Sequence, residues 1–209
     1  RQMCIRDRDI TIDNSTLYSL KMYLKSMFPN DNLSISKGTE LDLSSLNGGY
    51  NKDNYTAALA KVEAYRNVDT SDNKTFYYGL WTGGDAVLTA GVIGLAYLNN
   101  PAFIGSASLS GIGVVFPDLI LSTTAHELGH NHNLPHVICD DETNDQFSAG
   151  AASPDYNYPY NSVQGGGGEF GRIGKVGYDF RNGNYVSKTF YHDVMSYCNR
   201  VWISDYHYK

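Results

Sequence analysis

The stretch TTAHELGHNHNLPH, residues 123–136, holds four histidines and one glutamate, side chains that bind divalent metals and move protons. His126 and His130 are four residues apart. On a helix that spacing sets both imidazoles on one face, about 6 Å apart at Cβ, where two neutral ring nitrogens can reach one zinc ion. Glu127 projects beside that face, where it can take a proton from a coordinated water. His136 follows His130 by six residues, and no continuous helix returns it to the same ion. The chain must therefore turn sharply after Asn133, a residue type that tolerates left-handed backbone, and Pro135 keeps the helix from resuming. His132 faces away and is expected to be exposed. The spacing predicts a three-histidine zinc site with an open fourth position, as in catalytic rather than structural zinc centres. The competing reading is a histidine-rich surface helix without a metal, because H-E-x-x-H alone arises by chance.

These ligands need a helix beneath them and a sheet beside it. The sequence predicts a helix from Asp118 to about Asn133, opening just after Pro117. Upstream, NSTLYSLKMYLKSMF (Asn14–Phe28) has helical apolar spacing, with Asn14 or Ser15 as N-cap and Pro29 as the stop. YTAALAKVEAYR (Tyr55–Arg66) is a second amphipathic helix. NLSIS (32–36), FYYGLW (76–81), VIGLAYL (92–98) and GIGVVF (111–116) read as strands. Between the first strand and second helix, 41–54 reads as a polar loop. Beyond Pro135, Gly, Asn, Tyr and Asp dominate, with GGGG at 165–168, so few regular elements are expected there.

With 209 residues the chain suits one domain with lobes. The net charge of −6 and the lack of a Lys/Arg cluster argue against nucleic-acid and anionic-membrane partners. No apolar run reaches the roughly 18 residues of a membrane span. RQMCIRDRD (1–9) differs in character from the rest of the chain and reads as a non-native end, so Cys4 is given no role and localisation cannot be taken from a leader. The expected division is 10–133 as an upper lobe with the zinc helix and 134–209 as a lower, loop-rich lobe of one catalytic domain.

HELGHNHNLPH resembles the long zinc motif of the metzincin metallopeptidases, H-E-x-x-H-x-x-G-x-x-H, with Asn133 where the family has glycine. HDVMSYC, about sixty residues on, resembles that family's methionine turn, with Met195 as its methionine. VIGLAYL resembles the edge strand before the zinc helix in the adamalysin-like branch, and the pairing of HELGHN…H..C with D.MSYC…WISDY is similar to that of secreted bacterial metzincins. The likeness spans roughly Leu17 to Tyr197, but only the zinc motif and methionine turn are specific.

The resemblance implies an α+β zincin: a twisted, mostly parallel sheet with an antiparallel edge strand, two main helices and a loop-rich C-terminal lobe. It implies one catalytic Zn²⁺ on His126, His130 and His136, with Glu127 as general base. Tyr197 becomes a candidate for contact with the metal or the oxyanion, and Met195 the floor of the site. Ile93, Gly94, Leu95 and Ala96 would bind substrate by strand addition if theirs is an edge strand; an inner strand is the alternative. Cys139 and Cys198, each three residues past a landmark of the site, would be neighbours, forming a disulfide or remaining two buried thiols. Trp202 and Tyr206 would wall the specificity pocket or pack the C-terminal segment. DDETND (140–145) could hold Ca²⁺ but lacks the ordered ligand spacing of a calcium loop. The expected protein is a monomeric, secreted or cell-surface, bacterial endopeptidase acting on protein or glycoprotein substrates. Two rivals stand beside it. One is a gluzincin with Glu142 or Glu169 as third ligand; the other is an inactive fold kept to bind glycoproteins or peptides.

Overall fold

The computed structural model describes residues 2–5, 12–46, 52–69, 75–81, 94–97, 102–106, 117–139, 154–160 and 170–208. The described elements are α+β: three helices, a four-stranded sheet and two small two-stranded ones. The chain divides into two compact units, Arg1–Lys21 with Leu33–Asn133, and Met22–Asn32 with Leu134–Lys209.

Helix α1 runs Asn14–Met27 and α2 runs Lys52–Asp69. The N-cap of α1 is Asp13, not Asn14 or Ser15: its carboxylate accepts from the Thr16 amide at 2.8 Å and the Thr16 hydroxyl at 2.9 Å. These bonds hold the Asp13 carboxyl below its ordinary pKa. Leu20, Tyr23, Leu24 and Met27 form the buried stripe that the periodicity predicts. Helix α2 begins three residues earlier and ends three later than expected, and it buries Tyr55, Ala58, Leu59 and Val62 completely. With Leu43 and Tyr77 these make the first unit's core, flanked by Leu41, Leu46, Tyr65, Leu95 and Tyr97. Among the described residues 32–36 form no strand: Leu33 and Ile35 are only half-buried, too little apolar burial to anchor a strand in a sheet.

Strands β1 (Gln2–Ile5), β2 (Tyr77–Trp81), β3 (Gly94–Ala96) and β4 (Ala102–Ser106) build the larger sheet in the order β1-β2-β4-β3. Pairs β1–β2 and β2–β4 are parallel, whereas β3 runs antiparallel to β4 with Gly94 opposite Gly105. Among the described residues, the antiparallel edge is thus β3. Strand β4 is not among the strands expected from the sequence, because Pro101 and the asparagines before it mark a turn and hide the short run AFIGS. The expected strand at 111–116 lies outside the described residues. Helix α2 packs on β2 and β4, and helix α3 (Pro117–Asn131) packs on β4 and β3.

Among its described residues the second unit has few regular elements. It contains an antiparallel hairpin of β5 (Gly177–Asp179) and β6 (Asn184–Val186), and a parallel pair of β7 (His192–Asp193) and β8 (Val201–Trp202). Gly183, at φ 75°, closes the hairpin turn, where Asp179 holds Arg181 through two side-chain bonds of 2.8 and 2.7 Å. Val137, Ile173, Val194, Met195, Trp202 and Ile203 are buried.

Candidate metal centre

Helix α3 carries the first two histidines on one face, their rings 4.9 Å apart between centroids and nearly perpendicular. Helical bonding runs one residue beyond the helix, with the His132 amide shared between the Leu128 and Gly129 carbonyls. Asn133 then takes φ 64° while its amide donates to the His130 carbonyl at 2.8 Å. This is the left-handed stop anticipated from the residue type. Asn131 fixes the last turn, its amide nitrogen donating to the Tyr97 carbonyl at 3.0 Å. His132 is exposed, with its ring lying tilted 5.0 Å from that of Phe76.

The potential ligand nitrogens of His126, His130 and His136 all lie within 4.8 Å of one another. His130 and His136 are buried and His126 is half-buried. Three imidazoles gathered in this way could hold one divalent metal ion such as zinc. Among the described residues no other group of three potential ligands converges. Residues 140–145 and Glu169, the sources of the calcium and gluzincin readings, lie outside the described residues, as does Glu142.

Glu127 is only 6% exposed, and burial pushes its carboxyl up to about 8. A divalent cation nearby acts in the opposite direction, since positive charge favours the carboxylate. The carboxylate lies against the backbone of β3: a Cβ built on Gly94 would overlap Glu127 Oε1 and stand 2.7 Å from Thr123 Cγ2. Glu127 thus occupies the space that a side chain at Gly94 would take. Leu95 and Ala96 are half-buried on the same edge strand, while Ile93 lies outside the described residues.

His136 belongs to a stretch clamped at several points. Its carbonyl accepts the Asp155 amide at 2.8 Å, and the next residue, Val137, donates its amide to the Met195 carbonyl at 3.0 Å. Val137 also bridges Ser196 in parallel register, and a disulfide joins Cys139 to Cys198 with Cα atoms 5.4 Å apart. Residues 137 and 139 thus face 196 and 198 at one constant offset, a short parallel ladder. Met195 is fully buried. Tyr197, 48% exposed, places its hydroxyl 2.9 Å from His136 Nε2. Trp202 is buried, and the half-buried Tyr206 donates to Asp155 at 3.0 Å while packing on Tyr158.

Two residues beneath this ladder, Asp193 and His207, are not singled out by the sequence. Their only sequence signal is a carboxylate two positions before Met195 and a late histidine in SDYHY. No helix among the described residues is long and apolar enough to cross a membrane. No family model matches the chain, and no curated protein matches it significantly.

Proposed function

We propose that this chain is a zinc-dependent endopeptidase of metzincin type that hydrolyses peptide bonds in extracellular proteins or glycoproteins. The observation that carries the reading is the convergence of the three histidine nitrogens within 4.8 Å, with a buried glutamate next to the first of them in sequence. The rings of His126, His130 and His136 would hold the ion. Zinc bound there supplies Lewis acidity, polarising the scissile carbonyl and making water a nucleophile near neutral pH. Glu127 takes the proton of the attacking water and returns it to the departing amine, so that the carboxyl is unchanged over one turnover. The Tyr197 hydroxyl, drawn away from His136 Nε2 by substrate, donates to the carbonyl oxygen as negative charge develops. Strand β3 lines up the substrate through its outer edge, with backbone hydrogen bonds giving register independent of side chain. The disulfide supports a secreted or cell-surface location, in bacteria on the strength of the motif pairing, with the protein acting as a monomer.

The second reading is a non-catalytic module that binds glycoproteins or peptides. In its favour stands the Tyr197–His136 hydrogen bond, which engages a ring nitrogen of one of the three histidines.

Zinc titration combined with cleavage of a peptide and glycopeptide library separates the two. The expected result is one tightly bound zinc, cleavage abolished by chelation and restored by zinc, and a Glu127→Ala variant that keeps the metal but loses at least about 10²-fold in rate. Zinc binding with no cleavage of any library member would leave the binding module.

A further inference from the structure

Asp193 is fully buried, and its carboxylate accepts four hydrogen bonds. Oδ1 takes the Met195 amide at 2.8 Å and His207 Nδ1 at 3.0 Å. Oδ2 takes the Ser204 amide at 3.1 Å and the Tyr158 hydroxyl at 3.4 Å. The Met195 bond shapes a tight turn, completed by the Ser196 amide and hydroxyl on the Asp193 carbonyl at 2.9 and 2.7 Å. That turn presents the Met195 carbonyl to Val137, the Tyr197 hydroxyl to His136, and Cys198 to Cys139. The backbone that carries His136 is therefore registered against a turn folded around one carboxylate.

His207 closes the arrangement from the C-terminal segment. Its side chain is 3% exposed, and its Nε2 is buried with no hydrogen-bond partner among the described residues. An unpaired buried ring nitrogen is unfavourable, and an aromatic hydrocarbon would pack between Tyr158 and Tyr206 without that cost. What a hydrocarbon would lack is the donor to Asp193.

We infer that Asp193 and His207 are positioning residues for the third metal ligand: the Nδ1–H bond fixes the Asp193 carboxylate, the carboxylate fixes the Met195 turn, and the turn fixes His136. The inference rests on the proposed reading that the three histidines hold zinc, and it extends the site to a segment seventy-one residues past His136 in sequence.

The test is the zinc dissociation constant of the full chain, by competition with a chromophoric chelator, for the unaltered protein, Asp193→Asn, His207→Phe and His207→Asn. Each is paired with the absorption spectrum of its cobalt form and a thermal melt in excess chelator. Asparagine retains a donor near the position of Nδ1, and phenylalanine does not. His207→Phe and Asp193→Asn are expected to bind zinc about 10–100-fold more weakly, with weakened tetrahedral cobalt bands. His207→Asn is expected within about threefold of the unaltered protein, with its cobalt spectrum preserved. Equal affinity of His207→Phe and the unaltered protein overturns the inference while leaving the zinc reading intact. So does a His207→Asn variant as weak as His207→Phe, since packing rather than the donor would then be at work. Failure of the unaltered protein to bind zinc overturns both. If Asp193→Asn does not fold, the two His207 variants decide.

Discussion

In the proposed role of general base, Glu127 has to be buried enough to be a strong base and charged enough to be a base at all. Burial holds its carboxyl up to about 8 against an ordinary 4.5. In chelator-treated protein this has a thermodynamic signature. Between about pH 4.5 and 8 the folded state keeps a proton that the unfolded chain has released, so stability falls as pH rises through that window and levels off above it. The expected loss is a few kcal/mol, measured by urea unfolding at stepped pH, and Glu127→Gln should flatten the profile. A slope unchanged in that variant would place the proton elsewhere. Tyr197 makes a separate demand. The residue is half-exposed, and its hydroxyl rests on His136 Nε2. Tyr197→Phe is expected to lower kcat by roughly 10²-fold with KM little altered and zinc retained, which steady-state kinetics beside metal analysis would check.

At the scale of elements, the meeting of β3 with α3 limits what residue 94 can be. A methyl group there must displace the Glu127 carboxylate or the Thr123 side chain. Gly94→Ala is expected to leave zinc affinity intact and to reduce kcat by at least about tenfold, and Glu127→Asp in the same chain should recover part of the loss by withdrawing the carboxylate. Additive losses in the double variant would refute the contact. The end of α3 makes a similar prediction. Asn133 sits at φ 64°, where a β-branched residue is strained. Asn133→Val should cost about 1–2 kcal/mol in thermal or denaturant unfolding, whereas Asn133→Gly should be neutral or mildly stabilising. The helices were the most legible elements, because burial at i, i+3 and i+4 is written into residue order, as Leu20, Tyr23, Leu24 and Met27 show. Strand β4 was not legible, since five residues after a proline become a central strand only by pairing with β2 and β3 on either side.

For the molecule as a whole, the Cys139–Cys198 bond spans 59 residues, so its loss frees a long loop in the unfolded chain. In the chain-entropy model that amounts to roughly 4 kcal/mol, or on the order of 10 °C in melting temperature for a protein of this size. Replacing both cysteines by serine is expected to lower the melting temperature by about that much. It should also weaken zinc binding, because the ladder through Val137 and Ser196 ends at that bond. A melting temperature within about 2 °C of the parent would show that hydrogen bonds alone hold the ladder.

Residue order alone determined the features that depend on near neighbours. Two histidines four apart share a helix face, asparagine accepts the left-handed turn, and proline bars the helix from continuing, all through steric and helical geometry acting within a dozen residues. Only the tertiary structure decided which distant groups complete the arrangement. Tyr197 reaches His136 across 61 positions, Tyr158 reaches Asp193 across 35, and Glu127 fills the side-chain space absent at Gly94. Contacts of that kind leave no period in the sequence. They arise when buried polar groups must find partners among whatever the folded chain brings within hydrogen-bond reach.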